Sequence, residues 1–368
     1  PTIPSWHNGR VRVAYTLEQC WHRIPGGTAV AALEIARAMP NVRPDVELLG
    51  VSGRHGEDPA VDFDLSIDVA GLAVKGPLLY ETSLRLGWPK VESAWPGLDV
   101  VHSTSIIPFA TGRPQVVTVH DLAFLRHPEF FTRRGNAVFR RSLRAVRKRA
   151  DRVIVSSQAT FDDCVSAGID EDRLRLVPLG VRVVEPTPDE SSRALDALGV
   201  PTSFILFVGT LEPRKNLLRL IEAVMNDPTL PPLVVAGAAG WGDSVGVLDV
   251  ERVRFVGHVD DVSLRVLYRS AMAFVYPSLW EGFGLPVLEA MAQGTPVVTS
   301  AGTSTEEVAG GAAVLIDPTT TSSIADGIAE VLRHRDEWAA RSRARASKMT
   351  WDAAARSTAA VYDELVRP

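Results

Sequence analysis

Two glutamates stand eight positions apart in Glu281-Gly282-Phe283-Gly284-Leu285-Pro286-Val287-Leu288-Glu289. Their carboxylates can accept hydrogen bonds from sugar hydroxyls. A helix beginning after the glycines would turn free N–H groups toward a phosphate. Carboxylates repel a bare phosphate, so the ligand suggested is a phosphate that carries sugars.

The positioning elements are legible on either side. The apolar run Ala273–Tyr276, followed by Pro277, predicts a buried parallel strand. A helical pattern then runs to Gly294, and Pro286 suits the first helical position, where an N–H would have no partner. One carboxylate therefore lies in a loop and the other about a turn into a helix. Upstream, Phe204–Val208 predicts another strand, leading into Gly209-Thr210-Leu211-Glu212-Pro213-Arg214-Lys215-Asn216. Adjacent cations at a strand's carboxyl end can neutralise a diphosphate, Arg through a bidentate fork and Lys as a point charge. Cations are unfavourable at a helix start, so a bound anion explains them better than a solvated pair.

Other segments carry weaker signals. Pro25-Gly26-Gly27-Thr28 precedes a helical run and reads either as an ordinary turn or as a close backbone approach to a ligand. Val116–Val119 ends in His120-Asp121, either a site residue or a structural histidine beside a helix-capping aspartate. Ser304-Thr305-Glu306-Glu307 fits a capping box. Asp62-Phe63-Asp64 has the form of an Asp-x-Asp metal signature but sits in an irregular acidic segment, so no metal site is expected. Gly237-Ala238-Ala239-Gly240-Trp241-Gly242 lacks the dinucleotide fingerprint spacing. Arg140, Arg141, Arg144, Arg147, Lys148 and Arg149 form a basic run whose apolar stripe is Phe139, Leu143, Val146 and Ala150. The run reads as a solvated face, with peripheral contact to anionic lipid as the alternative.

Twelve short apolar segments alternate with helical patterns: Val11–Tyr15, Val46–Val51, Val100–His102, Val116–Val119, Val153–Val155, Leu174–Val177, Phe204–Val208, Leu233–Ala236, Val253–Val256, Ala273–Tyr276, Pro296–Thr299 and Ala313–Ile316. That alternation predicts an α/β protein with parallel sheets. At 368 residues two domains are expected, divided at the Pro-rich stretch 183–189. The domains expected are residues 1–184, residues 185–350, and a terminal helix over 351–368. Active sites of such sheets lie at strand carboxyl ends. A net charge of −5 argues against nucleic acid as a partner. Cys20 and Cys164 alone cannot build a disulfide framework; a reduced chain is expected, with one bridge between them as the alternative. The chain shows no apolar run of membrane-spanning length and no signal peptide, so a cytoplasmic location is expected, at the inner membrane face if the basic run meets lipid.

Taken together, these segments resemble the retaining GT-B glycosyltransferases of sequence family 4. The resemblance rests on Glu281…Glu289, on Gly209…Glu212-Pro213-Arg214-Lys215-Asn216, and on Val119-His120-Asp121-Leu122. It extends to Ser156-Ser157-Gln158-Ala159-Thr160, Val177-Pro178-Leu179-Gly180-Val181 and Gly294-Thr295-Pro296-Val297-Val298. It implies the GT-B fold, two Rossmann-like domains facing across a cleft, with the terminal helix returning to the first. It implies that Glu289 holds the donor ribose and that Glu281 contacts the transferred sugar. Arg214 and Lys215, with the backbone at Phe283, Gly284 and Leu285 and with Gly209, would bind the diphosphate. His120 would sit beside the sugar, and Gly27 would approach the phosphate or acceptor. Several relatives carry an arginine directly after the glycine, where Thr210 stands here.

The activity so implied is transfer of a hexose from a nucleotide diphosphate sugar to a hydroxyl of a glycan or lipid-linked acceptor, with retention. No metal and no cofactor are expected. GDP-mannose is the first donor expected and a UDP-hexose the second, in polysaccharide or glycolipid assembly. Three other readings share part of the pattern. A GT-B epimerase would need no acceptor. A pyridoxal-phosphate phosphorylase would need a cofactor lysine, and of five lysines only Lys215 is suitably placed. A two-domain sugar-binding protein would bind free sugar.

Overall fold

The computed structural model describes residues 9–22, 26–57, 59, 65–237 and 252–366. Val-rich runs buried on both faces make parallel strands flanked by helices. The chain divides into two units, Pro1–Gly180 with Trp351–Pro368, and Val181–Thr350.

The first unit holds β1 (Val11–Thr16), β2 (Val46–Ser52), β3 (Val69–Gly71), β4 (Val100–Ser103), β5 (Gln115–Val119), β6 (Arg152–Val155) and β7 (Leu174–Leu176). All pairs are parallel, in the order β3-β2-β1-β4-β5-β6-β7. Its helices are α1 (Gly27–Val42), α2 (Gly76–Leu86), α3 (Ala123–Arg126), α4 (Arg133–Arg149) and α5 (Gln158–Ser166). The second unit holds α6 (Pro188–Leu198), β8 (Ile205–Val208), α7 (Leu217–Asn226), β9 (Leu233–Ala236), β10 (Val253–Gly257), α8 (Asp261–Ser270) and β11 (Ala273–Tyr276). It continues with α9 (Leu285–Ala292), β12 (Val297–Ser300), α10 (Ser304–Ala309), β13 (Val314–Ile316), α11 (Thr321–Arg333) and α12 (Arg335–Ala346). Its sheet is parallel in the order β10-β9-β8-β11-β12-β13.

Each expected strand forms, with ends shifted by a residue at most. The strand that sequence misses is β3, a three-residue edge with no buried position and no apolar run. The units divide at Gly180, slightly before the Pro-rich stretch, because Val181 bridges to Thr350 within the second unit.

The terminal helix α13 (Trp351–Val366) belongs to the first unit. Tyr362 is fully buried there, and its hydroxyl lies 2.7 Å from Nδ1 of His102, whose Nε2 meets Thr118 Oγ1 at 2.7 Å. Burial holds the His102 imidazole down to about 3, so it stays neutral, with His120 pressing in the same direction. Arg43 forks onto Asp363 at 2.9 and 3.1 Å, and Arg152 and Arg175 both clamp Glu364 at 2.6 Å.

In α4 the expected stripe faces inward. Leu143, Val146 and Ala150 are buried with Val117, Val119 and Val153, and Phe139 packs on their edge. Among the described residues, no helix is long and apolar enough to cross a membrane.

Candidate active site

In the second unit the strand order reverses between β8 and β11, which pair directly through Ala273↔Ile205 and Phe274↔Leu206. Loops leaving neighbouring strands in opposite directions open a crevice at their carboxyl ends, where open α/β sheets bind ligands. The loop after β8 carries Gly209, Arg214 and Lys215; the loop after β11 carries Glu281, Phe283 and Gly284.

The two loops are stapled together. Leu279 N donates to Arg214 O at 2.7 Å, and Asn216 Nδ2 donates to Pro277 O at 3.0 Å and to Pro318 O at 2.6 Å. Arg214 extends this pairing through its side chain. Its Nη1 donates to Glu281 Oε2 at 2.6 Å and its Nε to Glu212 Oε2 at 2.8 Å. The expectation had both cations facing the diphosphate. Instead two carboxylates already hold the guanidinium of Arg214, and Thr210, the departure from the family pattern, donates to Glu212 at 2.5 Å.

Glu281 is 8% exposed, and its other oxygen accepts from Tyr276 OH at 2.8 Å and Ser278 Oγ at 2.9 Å. Burial pushes its carboxyl up, but Arg214, Lys215 and the Tyr276 hydroxyl outweigh burial and leave it below the ordinary range. It is therefore a held carboxylate.

Lys215 is also 8% exposed. Among the described residues its ammonium has no hydrogen bond or ion pair; Nζ stands 6.0 Å from the centre of the Tyr276 ring. Burial drives its pKa below the ordinary lysine value, against the pull of Glu281. Gly209 makes room for it: at φ +152°, a Cβ there would lie 2.5 Å from Lys215 Nζ. An unpaired buried cation facing a crevice is a ready partner for an anion.

Glu289 lies a turn into α9, as expected, and Pro286 takes the second rather than the first helical position. Tyr268 OH donates to Glu289 Oε2 at 3.0 Å. Burial raises its carboxyl above the ordinary range, Asp261 adds to this, and Tyr268 and Lys215 oppose. In the first turn of α9 Pro286 has no N–H and Val287 N donates to Gly284 O at 3.0 Å, so Leu285 N is the N–H of that turn left without an intrahelical partner. Gly284, at φ +107°, is pressed against α10, where a Cβ would meet Thr305 Cγ2 at 2.8 Å.

The expected capping box does not form, and the helix cap sits one residue earlier. Thr303 caps α10, with its side chain accepting from Thr305 N at 3.3 Å. Ser304 instead donates to Glu281 O at 2.7 Å, so the expected cap residue helps to hold the site.

Gly27 and His120 belong to the first unit. Gly27 is the exposed first residue of α1. His120 follows β5 and donates through Nε2 to Thr104 O at 3.1 Å. Burial lowers its pKa, with Thr104 and Asp121 opposing, so the ring is neutral near pH 7. Asp121 accepts from Ala123 N at 3.0 Å just ahead of α3, whose N-cap residue is Leu122, so it braces the turn into that helix without capping it.

Sequence reasoning missed a buried polar cluster at the first unit's own order reversal, between β1 and β4. Glu18, 3% exposed, accepts from Gly53 N at 2.5 Å and stands 3.0 Å from His55 Nε2. Gln19 Nε2 donates to Thr104 Oγ1 at 2.7 Å. The polar run Glu18-Gln19 directly after a strand was the available signal.

Asp62-Phe63-Asp64 and most of the 237–242 glycine segment lie outside the described residues. Among the described residues, no three His, Cys, Asp or Glu side chains gather as metal ligands. Cys20 and Cys164 are free and buried.

Comparison with known proteins identifies the family and the fold. A family model for group 1 glycosyl transferases matches residues 197–349, and one for glycosyltransferase family 4 matches residues 25–185. O-antigen chain mannosyltransferase B of Escherichia coli is 32% identical over 265 residues, covering 67% of this chain and 69% of that protein. A D-inositol 3-phosphate glycosyltransferase of Mycolicibacterium smegmatis is 32% identical over 65% of this chain and 59% of its own length. Among solved structures, sucrose-phosphate synthase from Thermosynechococcus elongatus superposes with a TM-score of 0.76 at 21% identity, covering 97% of this chain and 99% of that one. HepE from Anabaena, in complex with UDP and glucose, gives 0.77 at 19% identity, covering 96% and 100%.

Proposed function

The chain belongs to family 4 of the GT-B glycosyltransferases, and on that premise we propose that it transfers a hexose, mannose first, from a nucleotide diphosphate sugar to a hydroxyl of a glycan or glycolipid, with retention and without metal. The observation that carries the reading is Lys215, a buried ammonium with no ion pair among the described residues, beside a Glu281 carboxylate already held by Arg214.

As the bond from sugar to diphosphate breaks, positive charge grows on the anomeric carbon and negative charge on the leaving phosphate. In this reading Lys215 and the Leu285 N–H at the start of α9 meet the phosphate charge. Losing one such preorganised group typically costs ~3 kcal/mol of barrier. Arg214 acts chiefly through Glu281, fixing the carboxylate that meets the sugar hydroxyls. Glu289 receives the ribose hydroxyls. No enzyme nucleophile is assigned: Glu281 is a hydrogen-bond acceptor here, and the acceptor proton passes to the leaving phosphate.

In the first unit, the buried Glu18 carboxylate and the Gln19–Thr104 pair suit a hydroxyl-rich acceptor. GDP-mannose is favoured by the E. coli O-antigen mannosyltransferase relative, and a UDP-hexose is the second choice.

A thermal-shift screen with UDP, GDP, ADP, dTDP and their sugars, with magnesium or with EDTA, tests the reading. A ligand at ~100 times its dissociation constant adds ~2.7 kcal/mol of stability. Stabilisation by one nucleotide irrespective of magnesium supports it. Stabilisation only by free sugars or by pyridoxal phosphate overturns it.

A further inference from the structure

Asn216 holds a backbone conformation that glycine takes more readily. Its φ of +60° and ψ of 29° are left-handed, and among the described residues that carry a side chain only Ser66 shares a positive φ. A Cβ is disfavoured in that region, so the turn alone would be better served by glycine. Asn216 is also buried, so its amide has to find partners inside the protein.

Those partners lie in three loops. Asn216 itself ends the loop after β8. Its Nδ2 donates to Pro277 O, in the loop after β11, at 3.0 Å, and to Pro318 O, in the loop after β13, at 2.6 Å. Arg219, in the first turn of α7, donates through Nη1 to Asn216 Oδ1 at 2.7 Å and to Pro318 O at 3.0 Å, which fixes the amide's orientation. Pro318 sits in a turn where Thr319 N and Oγ1 donate to Asp317 Oδ1 at 2.8 and 2.6 Å. Both N–H groups and the oxygen of the amide are thus engaged.

The residue before Asn216 is Lys215. Their turn is closed by Lys215 N on Glu212 O and by Asn216 N on Pro213 O, both at 3.0 Å. The lysine stem lies over Gly209, where a Cβ would meet Cδ at 2.9 Å. Among the described residues no hydrogen bond or ion pair holds the ammonium at its tip, so its place is set by the backbone it grows from. The charged and titratable groups around it are Arg214 and Glu212 of the same loop, Tyr276 and Glu281 of β11 and the loop after it, and Glu289 of α9. On a flexible four-carbon stem, a small rotation of the turn would carry the ammonium onto one of these carboxylates or out into water.

We propose that Asn216 is a positioning residue for Lys215: by tying the loops after β8, β11 and β13 together, its amide holds the ammonium in the crevice where the diphosphate charge develops. The identity of that anion rests on the donor reading above; the brace itself does not.

The test uses the full chain and Asn216→Gly, which keeps the backbone conformation and removes the brace. Of five lysines, the side-chain NMR signal lost in Lys215→Met identifies Lys215. In the parent it should titrate below the ordinary lysine value. In Asn216→Gly it should move back up, because the released ammonium reaches water. GDP and UDP are then titrated in EDTA. The one that binds should lose about tenfold in affinity in Asn216→Gly. It should lose nothing further when Asn216→Gly is added to Lys215→Met. A purely structural role would weaken both backgrounds alike and leave the lysine titration in place. Arg219→Met removes only the hold on the amide oxygen and should move the lysine signal in the same direction by less. It carries the test if Asn216→Gly does not fold. An unmoved Lys215 signal in the folded variants overturns the proposal, as does an equal loss of affinity in both backgrounds. If the signal moves while the parent and Lys215→Met bind both nucleotides alike, or not at all, the donor reading fails and the positioning role stands.

Discussion

Arg214 Nη1 lies 2.6 Å from Glu281 Oε2, joining the loop after β8 to the loop after β11 where the strand order reverses. Both side chains are largely out of water, at 18% and 11% exposure. Removing one partner of such a pair strands the other charge, which costs ~3–5 kcal/mol. Arg214→Met should therefore destabilise the second unit by that order. Arg214→Met/Glu281→Gln should lose less than the sum of the two single changes. Denaturant melts of the four proteins measure the coupling; strictly additive losses would mean that the pair holds nothing in place.

Lys215 should separate stability from turnover. Its ammonium is buried without an ion pair among the described residues, and burial lowers its pKa. The folded state thus binds that proton less tightly than the unfolded chain. Stability is reduced while the lysine is forced to stay charged, and it recovers as pH rises through the lowered value toward the ordinary ~10.4. Lys215→Met should keep or raise the melting temperature near neutral pH and cut turnover ~10²-fold. In the parent, nucleotide affinity should fall as pH rises through the lowered value, before an ordinary lysine would titrate; in Lys215→Met that fall should vanish.

Glu289 has the opposite sign. Its carboxyl is raised by burial, so the folded chain holds the proton more tightly than the unfolded one. Stability therefore falls as pH rises from the ordinary ~4.3 through the raised value. Glu289→Gln keeps an acceptor for Tyr268 and removes the charge. Near neutral pH it should stabilise by ~1 kcal/mol while weakening nucleotide binding about tenfold. Melting and titration of the same variant check both halves.

Gly209 is fixed by its neighbour. A Cβ there would approach Lys215 Nζ to 2.5 Å, at a φ of +152° that side chains rarely adopt. Gly209→Ala should cost ~1–3 kcal/mol, and part of the loss should return in Gly209→Ala/Lys215→Ala. Equal melting points for the single and double variants would mean that Lys215 is not the obstruction.

Much of this was legible in the sequence because buried parallel strands write continuous apolar runs, and both glutamates follow one such run. What was not legible depends on strand order. That Arg214 binds Glu281 rather than waiting for phosphate follows from β8 and β11 being neighbours, which no local pattern states. The hydroxyls of Tyr268, Tyr276 and Ser304 lie on strand and helix positions that read as core or cap, and only the packing turns them onto the glutamates. The three-residue β3 has too little apolar surface to leave a signal.

The most direct measurement is calorimetric titration of the nucleoside diphosphate selected by the stability screen, and of its sugar, into the parent, Lys215→Ala and Glu289→Ala in EDTA. The account predicts binding by the parent without metal. It predicts that both variants bind at least about tenfold more weakly. Lys215→Ala should lose more affinity for the free diphosphate, which carries the extra charge of the departed group, than for the intact sugar nucleotide. Undiminished affinity in both variants would contradict the assignment of this site to the donor.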